Sequence, residues 1–78
     1  MKMSRLREFL NNQGVVVNPE DCMDTELDGC DWWDSMAILS TMVGAEQDLK
    51  ISISGNELLG LKTIRDLCQL LFDRPAVD

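Results

Sequence analysis

The chain has 78 residues, and its 7 basic against 14 acidic side chains give a net charge of −7. This length predicts a single domain with a core too small to enclose a deep catalytic cleft, so a self-sufficient enzyme is not expected. Histidine is absent, which excludes a histidine-based catalytic triad and a histidine-ligated zinc within this chain. The acidic balance argues against nucleic acid as a partner and favours basic protein partners.

The cysteines and the lengths of the apolar segments indicate the cellular compartment of the protein. Cys22, Cys30 and Cys68 are an odd number without CxxC spacing, so neither a disulfide framework nor a cysteine-based metal site is expected. Residues 1–10 lack the apolar stretch of a signal peptide, and no run of about eighteen apolar residues is present to cross a membrane. We therefore predict a monomeric cytoplasmic protein without a membrane partner.

The first amphipathic segment is short. Leu6, Phe9 and Leu10 follow helical spacing behind Ser4, which we expect to be the N-cap of a first helix. Three valines at 15–17 have strand propensity, but no partner strand is evident, so we predict an extended loop that covers a helical core. From 20 to 34 the chain is a long acidic connection, of a kind that is often functional or contains short helical turns.

The best helix begins at Ser35 and is predicted to extend to about Asp48. Apolar residues at helical spacing mark its expected buried face. These residues are Met36, Leu39, Met42 and Val43, with Ile38 and Ala45 beside them. Residues 49–53 then alternate between apolar and polar side chains. Because no partner strand is evident, we predict a loop in which alternate residues point inward.

Two capping boxes predict two further helices. Ser54 with Glu57 begins a short third helix, and Thr63 with Asp66 begins the last one. The third helix is expected to bury Leu58, Leu59 and Leu61. The inner side of the last helix is predicted to consist of Ile64, Leu67, Cys68 and Leu71. The pair Arg74–Pro75 is predicted to end it, because proline cannot continue a helix.

Together these segments predict an all-α fold. We expect a small four-helix bundle with a long loop between helix 1 and helix 2 and a short helix 3. The chain would form one domain, 1–78, with a core spanning about 4–73 and a short tail at 74–78.

Ser35 lies where the acidic loop becomes the best helix. Its hydroxyl is therefore expected at the positive end of a helix dipole, where free amide groups of the first turn stabilise an attached anion. The simpler interpretation is that Ser35 is only the N-cap of this helix, since serine is a preferred cap residue.

Several segments together resemble the acyl carrier protein family. Asp34-Ser35-Met36 is similar to the family's Asp-Ser-Leu motif, whose serine bears a phosphopantetheine arm, with methionine in place of leucine. The helix after the serine, the loop 51–54, the short third helix and the segment 61–67 follow in the family's order and spacing. The resemblance covers roughly residues 4 to 73, and its fold is the acyl-carrier-like bundle.

The resemblance implies a non-catalytic carrier. A phosphopantetheinyl transferase would attach 4′-phosphopantetheine from coenzyme A to Ser35. The arm would hold acyl or related carboxylic acid intermediates as thioesters for acyl-loading and acyl-transferring enzymes with basic docking patches. The chain departs from the family at Trp33 and Ala37, where glycine and an acidic residue are common, and its second helix has few acidic residues. These departures favour a specialised biosynthetic pathway, such as polyketide or surface-polysaccharide assembly, over housekeeping fatty-acid synthesis.

Further residues are assigned around the motif. Those expected in motif and partner recognition are Asp28, Asp31, Trp33, Asp34 and Met36. Those expected to line the core or an acyl chain are Met36, Leu39, Met42, Val43, Ile64 and Leu67. The adaptable thioethers of Met36 and Met42 would let the core open for such a chain. At least one ring of Trp32 and Trp33 is expected to anchor the loop, and the other to contact solvent, the arm or a partner.

Two other function classes remain open. The spacing Asp24-x-Glu26-x-Asp28-Gly29 is similar to the start of an EF-hand calcium loop, but the twelfth position is Ser35 where a bidentate glutamate is needed, so no metal site is predicted. The other class is an unmodified helical interaction module, which would share the fold and the acidity.

Overall fold

A computed structural model describes residues 3–72 of the chain. This part is mostly helical and contains four α-helices and no strand, which confirms the predicted all-α class. The helices are α1 (Met3–Asn12), α2 (Ser35–Asp48), α3 (Gly55–Leu59) and α4 (Ile64–Phe72). The predicted stop at Arg74–Pro75, the tail 74–78 and the last residue of the predicted core lie outside the described residues.

The apolar face of α1 is as predicted, but its start is not. Leu6, Phe9 and Leu10 are buried. Ser4 lies inside the helix with an exposed side chain, because helical backbone already includes Met3, so the prediction that Ser4 is the N-cap is wrong. After α1 the chain reverses through Gly14, whose φ of 83° lies in the left-handed region that glycine tolerates.

Two extended segments close over the helices, as predicted. Val15 and Val17 are buried whereas Val16 between them is 70% exposed, which is the alternation expected of extended backbone. The second segment follows Lys50, whose φ of 59° is left-handed, and in it Ile51 is partly buried, Ser52 is exposed and Ile53 is buried, so alternate residues again point inward. No strand pairs with either segment within residues 3–72.

The acidic connection contains one short turn of 3₁₀-helix, Leu27–Gly29, and is bonded to the start of α4. The backbone amide of Leu27 donates to the carbonyl of Lys62 at 2.8 Å. In the reverse direction, the amide of Ile64 donates to the carbonyl of Thr25 at 3.0 Å. These bonds satisfy buried backbone groups of the connection and hold its middle against the last helix.

Both predicted capping boxes are present. The Ser54 hydroxyl accepts the Glu57 amide at 3.2 Å, and the Glu57 carboxylate accepts the Ser54 amide at 2.9 Å. Likewise, the Thr63 hydroxyl accepts the Asp66 amide at 3.3 Å, and the Asp66 carboxylate accepts the Thr63 amide at 3.2 Å. These reciprocal bonds satisfy amides that lack helical partners, which is why α3 and α4 begin where the sequence predicts.

The inner face of α4 is confirmed, whereas that of α3 is confirmed only in part. The buried residues of α4 are Ile64, Leu67, Cys68 and Leu71. In the α3 region Leu58 is fully buried and Leu61 is partly buried. Leu59 is 69% exposed, so the prediction that it points inward is wrong. Adjacent residues of a helix point about 100° apart, and in this short helix Leu58 faces the core while Leu59 faces outward.

The predicted buried face of α2 is correct for Ala45 but wrong for three of its large residues. Met36, Leu39 and Val43 are 69%, 54% and 45% exposed. The residues that α2 buries are Ala37, Thr41, Gly44 and Ala45. Met42 and Ile38 lie between the two faces, partly buried against the core. The buried face is therefore turned by about one residue from the predicted one.

Small side chains explain this orientation, because they let the α2 backbone lie close to its neighbours. Thr41 is fully buried, and its hydroxyl donates to the Ala37 carbonyl at 2.7 Å, so its polar group is satisfied within the helix. At Gly44, the side-chain amide of Gln13 occupies the space that a Cβ would need. That amide also donates to Asp48 at 2.8 Å, which joins the turn after α1 to the end of α2.

Candidate functional site at the start of α2

Ser35 is the first residue of α2, and its side chain is exposed. The N-cap is Asp34, whose backbone is extended and whose carboxylate accepts the Ala37 amide at 2.9 Å. The interpretation of Ser35 as only the N-cap is therefore wrong. The Ser35 hydroxyl has no hydrogen-bond partner among residues 3–72, so it is not needed for the helix start.

The surroundings of Ser35 suit an attached anion. The amides of Ser35 and Met36 lie in the first turn, where helix geometry provides no partner for them. The positive end of the helix dipole lies at the same place. No base is bonded to the Ser35 hydroxyl within the described chain.

A hydrogen-bond network fixes the acidic loop that leads to Ser35. The Arg7 guanidinium donates to three loop carbonyls, those of Asn18, Pro19 and Asp21, at 3.3, 3.2 and 2.9 Å. The Asp21 carboxylate accepts the indole N–H of Trp32 at 2.7 Å. Arg7 on α1 is thus connected through Asp21 to the aromatic residue three positions before the serine. Sequence reasoning missed both Arg7 and Asp21, because their roles depend on contacts between distant segments.

Both tryptophans anchor the loop. Trp32 and Trp33 are each partly buried against the core, which confirms that at least one ring is an anchor. Their rings meet edge to face, with centroids 5.9 Å apart and planes at 76°. Each ring therefore divides its surface between the core and the exterior, instead of one ring facing inward and the other outward.

The loop brings negative charge to the site. Asp28, Asp31 and Asp34 are all exposed on the approach to Ser35. The buried thiol of Cys30 lies within the same loop and donates to the Glu26 carbonyl at 3.4 Å. Burial, and then the nearby carboxylate of Asp21, raise the pKa of Cys30, so this thiol is kept protonated.

The other two cysteines are also free thiols. Burial raises the pKa of Cys68. Cys22 is exposed, and a hydrogen bond with the Thr25 hydroxyl lowers its pKa. Neither thiol is bonded to a residue of the Ser35 site within the described chain.

The loop is poorly arranged for calcium. Asp24, the first position of the EF-hand-like spacing, is paired with the Arg65 guanidinium at 2.8 Å. No group of three or more acidic or cysteine side chains that could hold a metal ion occurs within residues 3–72. The pairing with Arg65 engages one of the carboxylates that a calcium loop would use as an oxygen ligand.

The predicted lining residues divide into two groups. Ile64 and Leu67 are fully buried in the core. Met36, Leu39 and Val43 instead form an exposed apolar stripe on α2, which begins next to Ser35. Met42 lies between these groups and is partly buried. The six residues therefore do not line one interior surface, and three of them face outward beside the serine.

Comparisons with known proteins add no relative. No protein-family model matches the chain, and neither a curated protein nor a solved structure matches it. Within residues 3–72, no helix has the length and apolar character needed to cross a membrane. The family resemblance therefore stays a prediction that depends on the motif and on the order of the segments around it.

Proposed function

We propose that the chain is a carrier protein of the acyl carrier type, a small four-helix bundle in which Ser35 bears a 4′-phosphopantetheine arm. The arm carries acyl or related intermediates as thioesters between partner enzymes of a specialised biosynthetic pathway. The main support is the exposed hydroxyl of Ser35 at the start of α2, which has no hydrogen bond within residues 3–72 because Asp34 already provides the cap. The Asp34-Ser35-Met36 motif agrees with this assignment.

The proposed modification is a phosphoryl transfer. The Ser35 oxygen attacks the phosphorus of coenzyme A that bears the pantetheine, and the serine proton passes to a base of the transferase. The bond from that phosphorus to the bridging oxygen breaks, so adenosine 3′,5′-bisphosphate leaves. The new phosphodiester lies beside the first-turn amides of α2, which stabilise its charge. Among the described residues no base is bonded to the Ser35 hydroxyl, which agrees with activation by a separate enzyme.

The surface around Ser35 suits a partner that is basic and partly apolar. The exposed carboxylates of Asp28 and Asp31 attract positive charge, while Met36 and Leu39 offer apolar contact on the neighbouring helix. Exposed apolar side chains grouped beside a functional residue are typical of an interaction surface.

Loading with a transferase tests the proposal. The protein is incubated with coenzyme A and a broad-specificity phosphopantetheinyl transferase, and the intact mass is then measured. We expect a gain of one phosphopantetheine, which Ser35→Ala abolishes. Ser4→Ala is the matched control, because Ser4 is also exposed on a helix but lies outside the motif, and it should be modified normally. Absence of any gain with several transferases would contradict the proposal.

The second candidate is an unmodified helical interaction module. The exposed stripe of Met36, Leu39 and Val43 favours it, since such a stripe also suits partner binding without any modification. The two candidates differ in the loading experiment, because only the carrier gains mass.

The position of the acidic residues predicts how a partner approaches. Seven of the 14 acidic residues lie in 20–34, where there is no basic residue. We expect Asp28→Asn with Asp31→Asn to slow association with a transferase a few-fold at low salt, and Glu46→Gln with Asp48→Asn to slow it less.

Stopped-flow association rates at low and high salt measure this difference, which should shrink as salt screens the charges. Circular dichroism of the variant with Glu46→Gln and Asp48→Asn is the control for folding, because Asp48 accepts a hydrogen bond from Gln13. A larger effect of Glu46 and Asp48 would show that partners dock along α2 instead of the loop.

A further inference from the structure

A surface groove lies beside Ser35. It has a volume of about 410 Å³, which is within the range of small-molecule sites, roughly 300–1,000 Å³. Asp34 and Met36, the two neighbours of Ser35, both line it, and Ser40 lines it one turn further along α2. The opposite wall is formed by the turn after α1 and by the extended segment at Val16. The groove therefore extends from the serine along one side of α2.

The extended wall has free backbone polar groups. Val16 lies in extended backbone with an exposed side chain, and neither its amide nor its carbonyl has a hydrogen-bond partner within residues 3–72. Free N–H and C=O groups on extended backbone pair readily with an extended chain that carries amides. A tethered pantetheine has two secondary amides separated by short methylene segments, so it has the chemistry that pairs with such backbone.

The aromatic wall is held in place. Trp32 lines the groove, and its indole N–H donates to Asp21 at 2.7 Å. Asp21 is in turn held through its carbonyl by Arg7 at 2.9 Å. A ring fixed in this way is a preorganised apolar surface, which lowers the entropy lost when a flexible chain binds. Met36 provides adaptable apolar contact on the other side.

The inner face of α2 offers less room for the same arm. It is made of small side chains that lie against fully buried neighbours, and Thr41 and Ala45 have no exposed surface. The large apolar side chains at the start of the helix point outward instead. Ser35 itself does not line the groove, but an arm attached to it can reach the groove past Asp34 or Met36, whereas entry beneath α2 requires the closely packed face to separate.

From this geometry we propose that the groove between Val16 and the start of α2 binds the pantetheine arm, with an arm amide paired to the Val16 backbone and the arm's dimethyl segment against Trp32 and Met36. This inference depends on the proposed attachment at Ser35. It places the resting arm on the acidic-loop side of α2. Of the exposed stripe, the arm then covers Met36 and leaves Leu39 and Val43 free for partners.

The test compares the unmodified and phosphopantetheine-loaded proteins by ¹H–¹⁵N NMR, with loading confirmed by intact mass. We expect the Val16 amide and the Trp32 indole N–H signals to shift on loading. Exchange of the Val16 amide with solvent should slow about fivefold, the factor that corresponds to a net hydrogen bond of about 1 kcal/mol. Changes confined to Ser35 and its adjacent residues in the loaded protein would overturn the inference and leave the carrier proposal intact.

The Ser40→Leu variant provides a second test, because a leucine at this position fills the groove. This variant should still gain the phosphopantetheine mass but lose the shifts at Val16 and Trp32. Ser4→Leu, a matched change at an exposed position on α1, should retain them. Persistence of both shifts in loaded Ser40→Leu would contradict binding in the groove. Failure of every transferase to load Ser35 would instead overturn the carrier proposal, and this inference with it.

Discussion

α2 and α4 contribute opposite kinds of side chain to the core. α4 buries the large residues Ile64, Leu67 and Leu71, whereas α2 buries small ones such as Ala37 and Ala45. The large apolar residues of α2 lie on its exposed side. α4 is thus a structural helix whose outer face is polar, while α2 has a close-packed inner face and an apolar outer face.

This difference indicates where the protein interacts. Exposed large apolar side chains add less to the stability of the monomer than buried ones, and when grouped they are typical of surfaces that meet other molecules. On α2 they begin at Met36, directly after the exposed Ser35. The helix that begins at the candidate modification site is therefore also the helix that presents an apolar surface.

The comparison is tested most strongly by removing one leucine from each helix. Leu67 is fully buried, so Leu67→Ala should lower the free energy of unfolding by about 2–5 kcal/mol, which would largely unfold a domain this small. Leu39 is 54% exposed, so Leu39→Ala should lower the free energy of unfolding by only about 0.5 kcal/mol. Urea unfolding followed by circular dichroism measures both. Equal losses would show that α2 buries the face predicted from its sequence.

The two faces of α2 should respond differently to a larger side chain. Ala45 has no exposed surface, so Ala45→Leu should overpack the interior and destabilise the fold by about 1–3 kcal/mol. Val43→Leu, on the outer face, should change stability by about 0.5 kcal/mol or less. Thermal unfolding of the two variants provides the measurement. A tolerated Ala45→Leu would mean that the inner face of α2 has space to spare.

At the start of α2, Asp34 caps the helix and Ser35 is the proposed modification site, so substitutions of the two residues should differ in their effect on stability. Asp34→Ala removes the carboxylate that accepts the Ala37 amide and should cost about 0.5–2 kcal/mol. Ser35→Ala should change stability by no more than about 0.5 kcal/mol, because the Ser35 hydroxyl has no bond to lose within the described chain. Urea unfolding of both variants tests this ranking. A larger loss for Ser35→Ala would assign the cap to the serine.

At the start of α4, Asp66 should make a smaller contribution to the free energy of unfolding, and this contribution depends on pH. The backbone amides of Thr63 and Lys62 donate to Asp66 and hold the pKa of its carboxyl below the ordinary value of 3.8. The folded-state pKa is thus lower than the unfolded one. This contribution to stability is therefore complete above pH 3.8 and is lost as pH falls through the lowered value.

Asp66→Asn should flatten the acid limb of a plot of unfolding free energy against pH. Asp28→Asn is the control, because the exposed Asp28 carboxylate has no hydrogen bond within residues 3–72. An acid limb that is equally steep in the wild type and in Asp66→Asn would contradict this role for Asp66.

Local patterns in the sequence predicted the parts of the fold that depend on neighbouring residues. The capping pairs Ser54–Glu57 and Thr63–Asp66 act over three residues, and the structure contains both. The inner face of α4 was also predictable, because apolar and charged residues alternate there with a clear helical period. The exposed position of Ser35 was expected from its place at the junction of loop and helix, although its N-cap is Asp34.

The inner face of α2 was not predictable in the same way. Its first nine residues are mostly apolar on every side, so periodicity does not distinguish one face from another. The choice depends on which face packs best against the other helices, and Gly44 under the Gln13 side chain shows how close that packing is. The network from Arg7 to Trp32 likewise depends on segments that are distant in sequence. So does the lack of a backbone partner for Val16 within the part of the chain that the structure describes.

Propensity, capping and charge act over a few residues, so the sequence alone was enough to predict the starts of α2, α3 and α4, the acidic character of the connection and the serine at its end. Only the tertiary structure decided which face of α2 is buried and which is left apolar and exposed beside Ser35. It also decided that a groove forms between the Val16 segment and α2. The physical reason is that burial is a property of the whole packed chain, in which small residues are placed where helices must approach closely.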